Sequence, residues 1–322
     1  MGDKTGISWT DATWNPIRGC SRVSEGCRNC YAERVAARFS GEGQPYEGLV
    51  RVKTTIANNE ERDPGNRREA RWNGTVRMVP EHLADPLHWK RPRRIFVNSM
   101  SDPFHETLTN EQIAAVFGVM AMCPQHTFQI LTKRARRMRE WFAWADGGPK
   151  TPHPRDVIES HARAALDGIE EGTPVRREAR WPLPNVWLGV SVENQHAADE
   201  RIPELLATPA ALRFLSCEPL IGEEVLLPAI VAFGSAVWAG PKVDWVIAGC
   251  ESGPGARPCS VEWLRSLRDQ CAGAGVAFFL KQATETVESV LQGDGSKRKP
   301  GGVIELPYLD GVQHVAFPEV TP

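Results

Sequence analysis

The sequence predicts an α/β protein built as a parallel (β/α) barrel, partial or complete and TIM-like, with an inserted helical segment. Three observations predict it. Short, continuously apolar runs recur along the chain, as strands buried on both faces require. Amphipathic helical patterns lie between many of them, the alternation that builds a parallel sheet. Polar and ionisable residues recur just after the apolar runs, where a β/α barrel has its site-bearing mouth.

Strands are expected over 14–18, 76–79, 95–98, 127–131, 186–190, 212–216, 245–248 and 276–280, the number that a full barrel needs. Helices are expected over 31–39, 110–122, 134–145, 197–206 and 261–273, with Thr109 and Ser260 as N-caps. Residues 41–74 hold glycines and a dense charged run, and read as a loop or insertion. Residues 147–184 carry Pro149, Pro152, Pro154, Pro174, Pro182 and Pro184 and read as an inserted helical segment with irregular flanks, a candidate lid. The barrel domain thus spans 1–282. Residues 283–322 form a C-terminal extension with a hairpin turning on Asp310-Gly311.

A chain of 322 residues with a formal charge of −2 has no global field to draw it to nucleic acid or membrane. Two local basic runs, 90–94 and 133–137, read either as phosphate-facing patches or as solvated faces. No run of 18 apolar residues suggests a membrane span, and the first residues lack the apolar core of a signal peptide, so the cytoplasm is the expected location. Thiols stay reduced there, and the eight cysteines point to metal or redox chemistry more than to a disulfide framework.

The sharpest local signal is Cys20, six intervening residues, then Cys27-Arg28-Asn29-Cys30, placed after the first strand and before a helix. Three thiolates suit three irons of a four-iron cluster, leaving one iron open. They also suit zinc with a fourth donor, for which His82, His88 and His105 are candidates. Unliganded thiols packed as small apolar groups are the third reading. The helix start near Tyr31 and the nearby Arg22 and Arg28 would favour an anionic cluster. Cys123 and Cys271 fall in helical patterns and read as core. Cys217, Cys250 and Cys259 are ambiguous, the first two open to a role as hydrogen donor or extra ligand.

The strand ends supply the remaining candidates: Ser99, Ser101 and Asp102; Thr132 and Lys133; Ser191, Glu193 and Asn194; then Glu218, Glu251 and Lys281. Some of these types often cap helices. Lys133, Glu193, Glu218, Glu251 and Lys281 are not typical caps, which favours a site.

The run Ile7-Ser8-Trp9-Thr10-Asp11-Ala12-Thr13-Trp14-Asn15-Pro16, with Gly19-Cys20 and Cys27-Arg28-Asn29-Cys30-Tyr31-Ala32, resembles the phage-associated three-cysteine-motif protein family, similar to radical S-adenosylmethionine enzymes. The resemblance continues through 96–105, 131–134, 187–194, 217–220, 249–253 and 278–282, nearly the whole chain. It departs from typical radical enzymes in a longer first gap, and in Asn29 where an aromatic residue commonly precedes the third cysteine.

The resemblance implies a [4Fe-4S] cluster on Cys20, Cys27 and Cys30, with S-adenosylmethionine on the open iron as source of a 5′-deoxyadenosyl radical. Ser99, Ser101, Asp102, Thr132, Lys133, Ser191, Glu193 and Asn194 are then expected around its methionine and ribose, and Tyr31 near its adenine. Glu218, Glu251 and Lys281 would orient substrate or move protons, unless they form an internal salt-bridge network, while Arg134 and Arg257 would hold an anionic group. A nucleic-acid base is the favoured substrate, on the basic runs and the phage association, with a peptide or a small molecule as the alternative. An electron donor such as flavodoxin or ferredoxin and a partner protein encoded nearby are expected. The rival functions are a zinc-dependent hydrolase or nuclease on a barrel, and a non-catalytic metal-binding protein that binds nucleic acid.

Overall fold

The computed structural model describes residues 5–55, 67–146, 160, 181–222, 225–227, 240–253, 255–284, 297–299 and 303–319. In chain order these include strands β1 (Ala12–Trp14) and β2 (Ile17–Arg18), helix α1 (Tyr31–Arg38), strands β3 (Val50–Thr55), β4 (Arg67–Trp72), β5 (Arg77–Met78) and β6 (Arg94–Val97), and helix α2 (Asn110–Met122). There follow β7 (Thr127–Thr132), α3 (Ala135–Asp146), β8 (Val186–Ser191), α4 (Gln195–Leu206), β9 (Leu212–Cys217), β10 (Trp245–Gly249), α5 (Val261–Ala274) and β11 (Ala277–Thr284). The chain ends with β12 (Lys297–Lys299), β13 (Val303–Glu305), β14 (Tyr308–Leu309) and β15 (Val312–Gln313).

One sheet organises the chain, in the order β1-β6-β7-β8-β9-β10-β11-β13-β12. Pairing is parallel from β1 through β11 and antiparallel beyond it. The sheet curls. Five strand spacings separate β1 from β10, about 24 Å if laid flat, yet Trp9, just ahead of β1, has its ring 6.2 Å from that of Trp245 on β10. The architecture is a mixed α/β half-barrel, open between β1 and β12 among the described residues.

Strand alternation sorts the side chains. Inward go Phe96, Trp187, Leu212, Phe214, Trp245, Ile247 and Phe279, which with Trp9 form an aromatic floor inside the curl. Outward go their neighbours, such as Ile95, Val97, Leu215, Val246 and Ala248, packed with the helices in the larger core. The floor fills the N-terminal half of the curl and leaves the C-terminal half hollow.

The helices appear where the pattern places them, α2 residue for residue. Thr109 caps α2 in a reciprocal capping box with Gln112, and Ser260 caps α5 through the amide of Glu262. The hairpin turns on Asp310 and Gly311, both at positive φ as a two-residue turn requires.

Three expectations need correction. Among the described residues the parallel strands number seven, not eight: residues 76–79 contribute only β5, which pairs antiparallel with β2 in a separate ribbon. The first barrel strand lies earlier, at β1, because Pro16 lacks the N–H to continue it. The 41–74 insertion is not simply a loop: β3 and β4 pair as an antiparallel ribbon against α1. Most of the expected inserted segment, 147–159 and 161–180, lies outside the described residues. Among those described, no helix is long and apolar enough to cross a membrane.

Candidate functional site

A cavity of about 350 Å³ occupies the hollow C-terminal half of the curl. Trp9, Phe96 and Leu131 form its bottom, and the residues just past the strands form its walls. Cys20, Cys27, Cys30, Tyr31, Ser99, Ser101, Asp102, Thr132, Lys133, Ser191, Glu218, Glu251 and Lys281 all line it. Glu193 and Asn194 do not: the Asn194 side chain accepts from the amide of Ala197 and caps α4.

The loop carrying the cysteines is tied down almost residue by residue. The Ser21 hydroxyl meets Arg134 Nη2 at 2.8 Å and His105 Nε2 at 2.8 Å. Arg22 pairs with Glu33, which is 1% exposed on α1 and also accepts the Trp72 amide of β4. The Ser24 hydroxyl donates to Glu193, whose carboxyl lies so close to Gly26 that a Cβ there would come within 2.8 Å of it. Asn29 Nδ2 donates to Glu251 at 2.8 Å and to the carbonyl of Gly255 at 3.0 Å. Strand ends from β7, β8 and β10 therefore position one loop.

This accounts for two candidates. Glu193 is fully buried and bound by Arg201 and Lys133, with Nη1 of Arg201 at 2.8 Å. Burial opposes its charge, but Lys133, Arg201 and Ser24 outweigh that and hold its carboxyl below the usual carboxylate range. Glu251 is likewise held charged against burial by Arg257 and Asn29. Both carboxylates bind the loop, Glu193 through Ser24 and Glu251 through Asn29. Asp102 lines the cavity, yet its oxygens accept from Thr132 Oγ1, the amides of Phe104 and Lys133, and Arg134 Nη1. Arg134 and Arg257, expected to hold an anion, are matched by Asp102 and Glu106 and by Glu251 and Glu25. Lys281 pairs with Glu218 on the opposite wall, as an internal salt bridge within the cavity.

All eight cysteines are free, and those of the loop are half-buried. Burial, with Asp102 nearby, pushes the Cys20 thiol up to about 12, against the pull of Arg134, whose Nη1 lies 3.9 Å from its sulfur. Burial also raises Cys30, while the amides of Glu33 and Ala32 at the start of α1 work the other way. Among the described residues, no group of three or more His, Cys, Asp or Glu side chains is disposed to hold a metal ion. No histidine is among the described residues lining the cavity; His105, bound to Ser21 beside Cys20, has its ring nitrogens on Ser21 and Thr107. Cys217 belongs to the outward core with Leu215, so strand parity turns its thiol away from the cavity, whereas Cys250, just past β10, lies against Cys259 in that core and also borders the cavity.

Sequence reasoning missed Ser21, Ser24, Glu33 and Asn29 as loop anchors, and Arg34, Asn98 and Trp72 as cavity walls. Only the position of the first four beside or within the cysteine spacing could have marked them.

The basic run 90–94 precedes β6 and so lies at the end of the barrel opposite the cavity, with Arg94 bound to Asp11. Within the run 133–137, Lys133 and Arg134 face the cavity, while Arg136 pairs with Glu140 on α3. The two runs share no face.

A search among curated proteins and a search among solved structures each gave no match. A family model described as "Protein of unknown function (DUF5131)" matches residues 4–318, nearly the full length. The chain belongs to the DUF5131 family.

Proposed function

We propose that the chain is a radical S-adenosylmethionine enzyme on a partial TIM-like barrel, with Cys20, Cys27 and Cys30 as ligands of a four-iron cluster. The anchored loop carries this reading: three free thiols bordering a cavity at the C-terminal mouth. A cluster takes thiolates at separate corners, whereas a single zinc needs donors converging on one point. The three thiols border one cavity, and zinc on the same thiols is the rival that reconstitution separates from the cluster. When bound, cluster and S-adenosylmethionine supply one-electron chemistry for hydrogen abstraction.

The chain's own residues do the rest. Arg134 offsets negative charge beside Cys20, and Ser24 and Asn29 fix the loop. The hydroxyls of Ser99, Ser101, Ser191 and Ser216 offer acceptors and donors along one wall. The aromatic floor excludes water from below. Lys281 donates to the Glu218 carboxylate on the far wall, and the pair would orient substrate there. Electrons would come from an external donor such as flavodoxin or ferredoxin, and the protein would work in the cytoplasm.

Anaerobic reconstitution tests the reading. The wild-type chain should take up about four irons with matching sulfide, and form 5′-deoxyadenosine when S-adenosylmethionine and reductant are added. Cys20→Ala, Cys27→Ala and Cys30→Ala should each lose the cluster. Zinc bound without sulfide, or a full cluster that never cleaves the cofactor, would overturn it.

A further inference from the structure

Three of the four cationic side chains that line the cavity have a carboxylate. Lys133 has Glu193 at 3.8 Å, Arg134 has Asp102 at 3.0 Å, and Lys281 has Glu218. Arg34 has none among the described residues. Its guanidinium donates only to the carbonyl of Ser252, at 3.3 Å.

The chain makes room for it. Arg34 lies one turn of α1 beyond Cys30, so it projects from the same side of the helix toward the mouth. It rests on Gly253, in the loop after β10, where φ is +93° and an added Cβ would lie 2.5 Å from Nη1 and 2.8 Å from Nη2. No other residue type leaves that space. A half-buried guanidinium that lines the cavity, has no counter-charge among the described residues and gives one donor to a carbonyl keeps further N–H groups for the oxygens of an anion.

We infer that Arg34, seated on Gly253, anchors an anionic ligand, a carboxylate or a phosphate, at the cavity mouth. The ligand bridges α1 and the β10 loop within reach of the cysteine loop. Two sources share this chemistry: the amino-acid carboxylate of the cofactor, and an acidic group on the substrate. The assignment deepens the proposed reading by naming the charge that the mouth selects, but it rests on the cavity geometry and not on the cluster.

Calorimetric titration of the full-length reconstituted chain, with iron content recorded, tests it. The probes are S-adenosylhomocysteine, 5′-methylthioadenosine as the same nucleoside without a carboxylate, and adenosine 5′-monophosphate. Arg34→Gln should weaken at least one anionic probe tenfold or more and leave 5′-methylthioadenosine within twofold. Loss for S-adenosylhomocysteine assigns the cofactor as source; loss confined to the phosphate assigns the substrate. Arg34→Lys should fall between, since it keeps charge without the fork. Gly253→Ala should reproduce Arg34→Gln with Arg34 present. If the wild-type chain binds neither anionic probe, if Arg34→Gln binds both as the wild type does, or if it weakens the uncharged probe equally, the anion site is overturned. If Gly253→Ala binds as the wild type does, the role of Gly253 as its seat is overturned. Failure to assemble a cluster would sink the radical reading and leave these affinities to be judged separately.

Discussion

The cysteine side of the mouth and the wall opposite it use the same residue types and pair them differently. Around the loop, Glu33, Glu193 and Glu251 are almost wholly buried, and each has a guanidinium plus a further hydrogen-bond donor. Across the cavity, Glu218 and Lys281 have only each other among the described residues, with side chains 16% and 18% exposed. Saturated charges hold a backbone in place; unsaturated ones remain available to a ligand. One wall is therefore built to position the thiols, and the other to meet whatever enters.

The largest expected effect breaks the saturated side. Glu193→Ala leaves Arg201, 4% exposed, without its carboxylate, and frees Ser24. Removing one member of such a buried pair costs about 3–5 kcal/mol, measurable by urea unfolding at pH 7. Cluster loading should fall with it. The carboxyl is held below its ordinary range, so its contribution is complete above about pH 4.3 and is lost as pH falls through the folded value beneath that. A Glu193→Ala protein as stable as wild type would erase the distinction between the two walls.

Much of this arrangement was legible in outline. Apolar runs and caps located α2 and α5 because those signals are local. Chemistry-bearing types after successive strands marked the cavity wall, since parallel strands bring their ends together whatever their order in the chain. The roles were less legible. Ser24 and Glu193 lie 169 positions apart, and nothing local in either announces the other. Glu251 reads as a candidate catalytic acid until Asn29 and Arg257 occupy its oxygens. Cys217 ends β9 as Ser191 ends β8, and only the choice of inward face, set by Phe214, turns its thiol outward.

The next effect tests the floor on which both walls stand. Gly189 faces Phe214, and a Cβ there would lie 2.5 Å from the ring. Gly189→Ala should destabilise by about 1–3 kcal/mol through overpacking, seen as a lower urea midpoint with the slope unchanged. It should impair both walls together. Damage confined to cluster loading would show that the walls do not share this floor.

A smaller effect is expected on the unsaturated side. Glu218→Gln with Lys281→Met replaces both members of the pair and leaves no unpaired charge, so it should cost no more than about 1 kcal/mol. Iron and sulfide content should match wild type. If the double variant instead loses several kcal/mol or its cluster, the pair braces the barrel and the two walls are alike.

The smallest effect sharpens the comparison from outside the cavity, by separating two acid-sensitive contributions. His126 is 1% exposed and packs against Trp89 and Phe128; its Nε2 meets the carbonyl of Pro86 at 3.2 Å, and its Nδ1 has no partner. Burial lowers its pKa, against the pull of that carbonyl. The unfolded chain therefore takes up a proton below about pH 6.5 while the folded chain resists it. Stability from the neutral ring is complete above that value and is lost as pH falls from it toward the folded value, by at most about 1.4 kcal/mol per pH unit for one proton. His126→Gln should flatten unfolding free energy against pH between 7 and 5, as read by urea titration at each pH. The further loss below about pH 4.3 that Glu193 sets should persist in this variant. An unchanged slope from 7 to 5 would mean that His126 takes up its proton alike in the folded and the unfolded chain, and that the acid response at these values belongs to other groups.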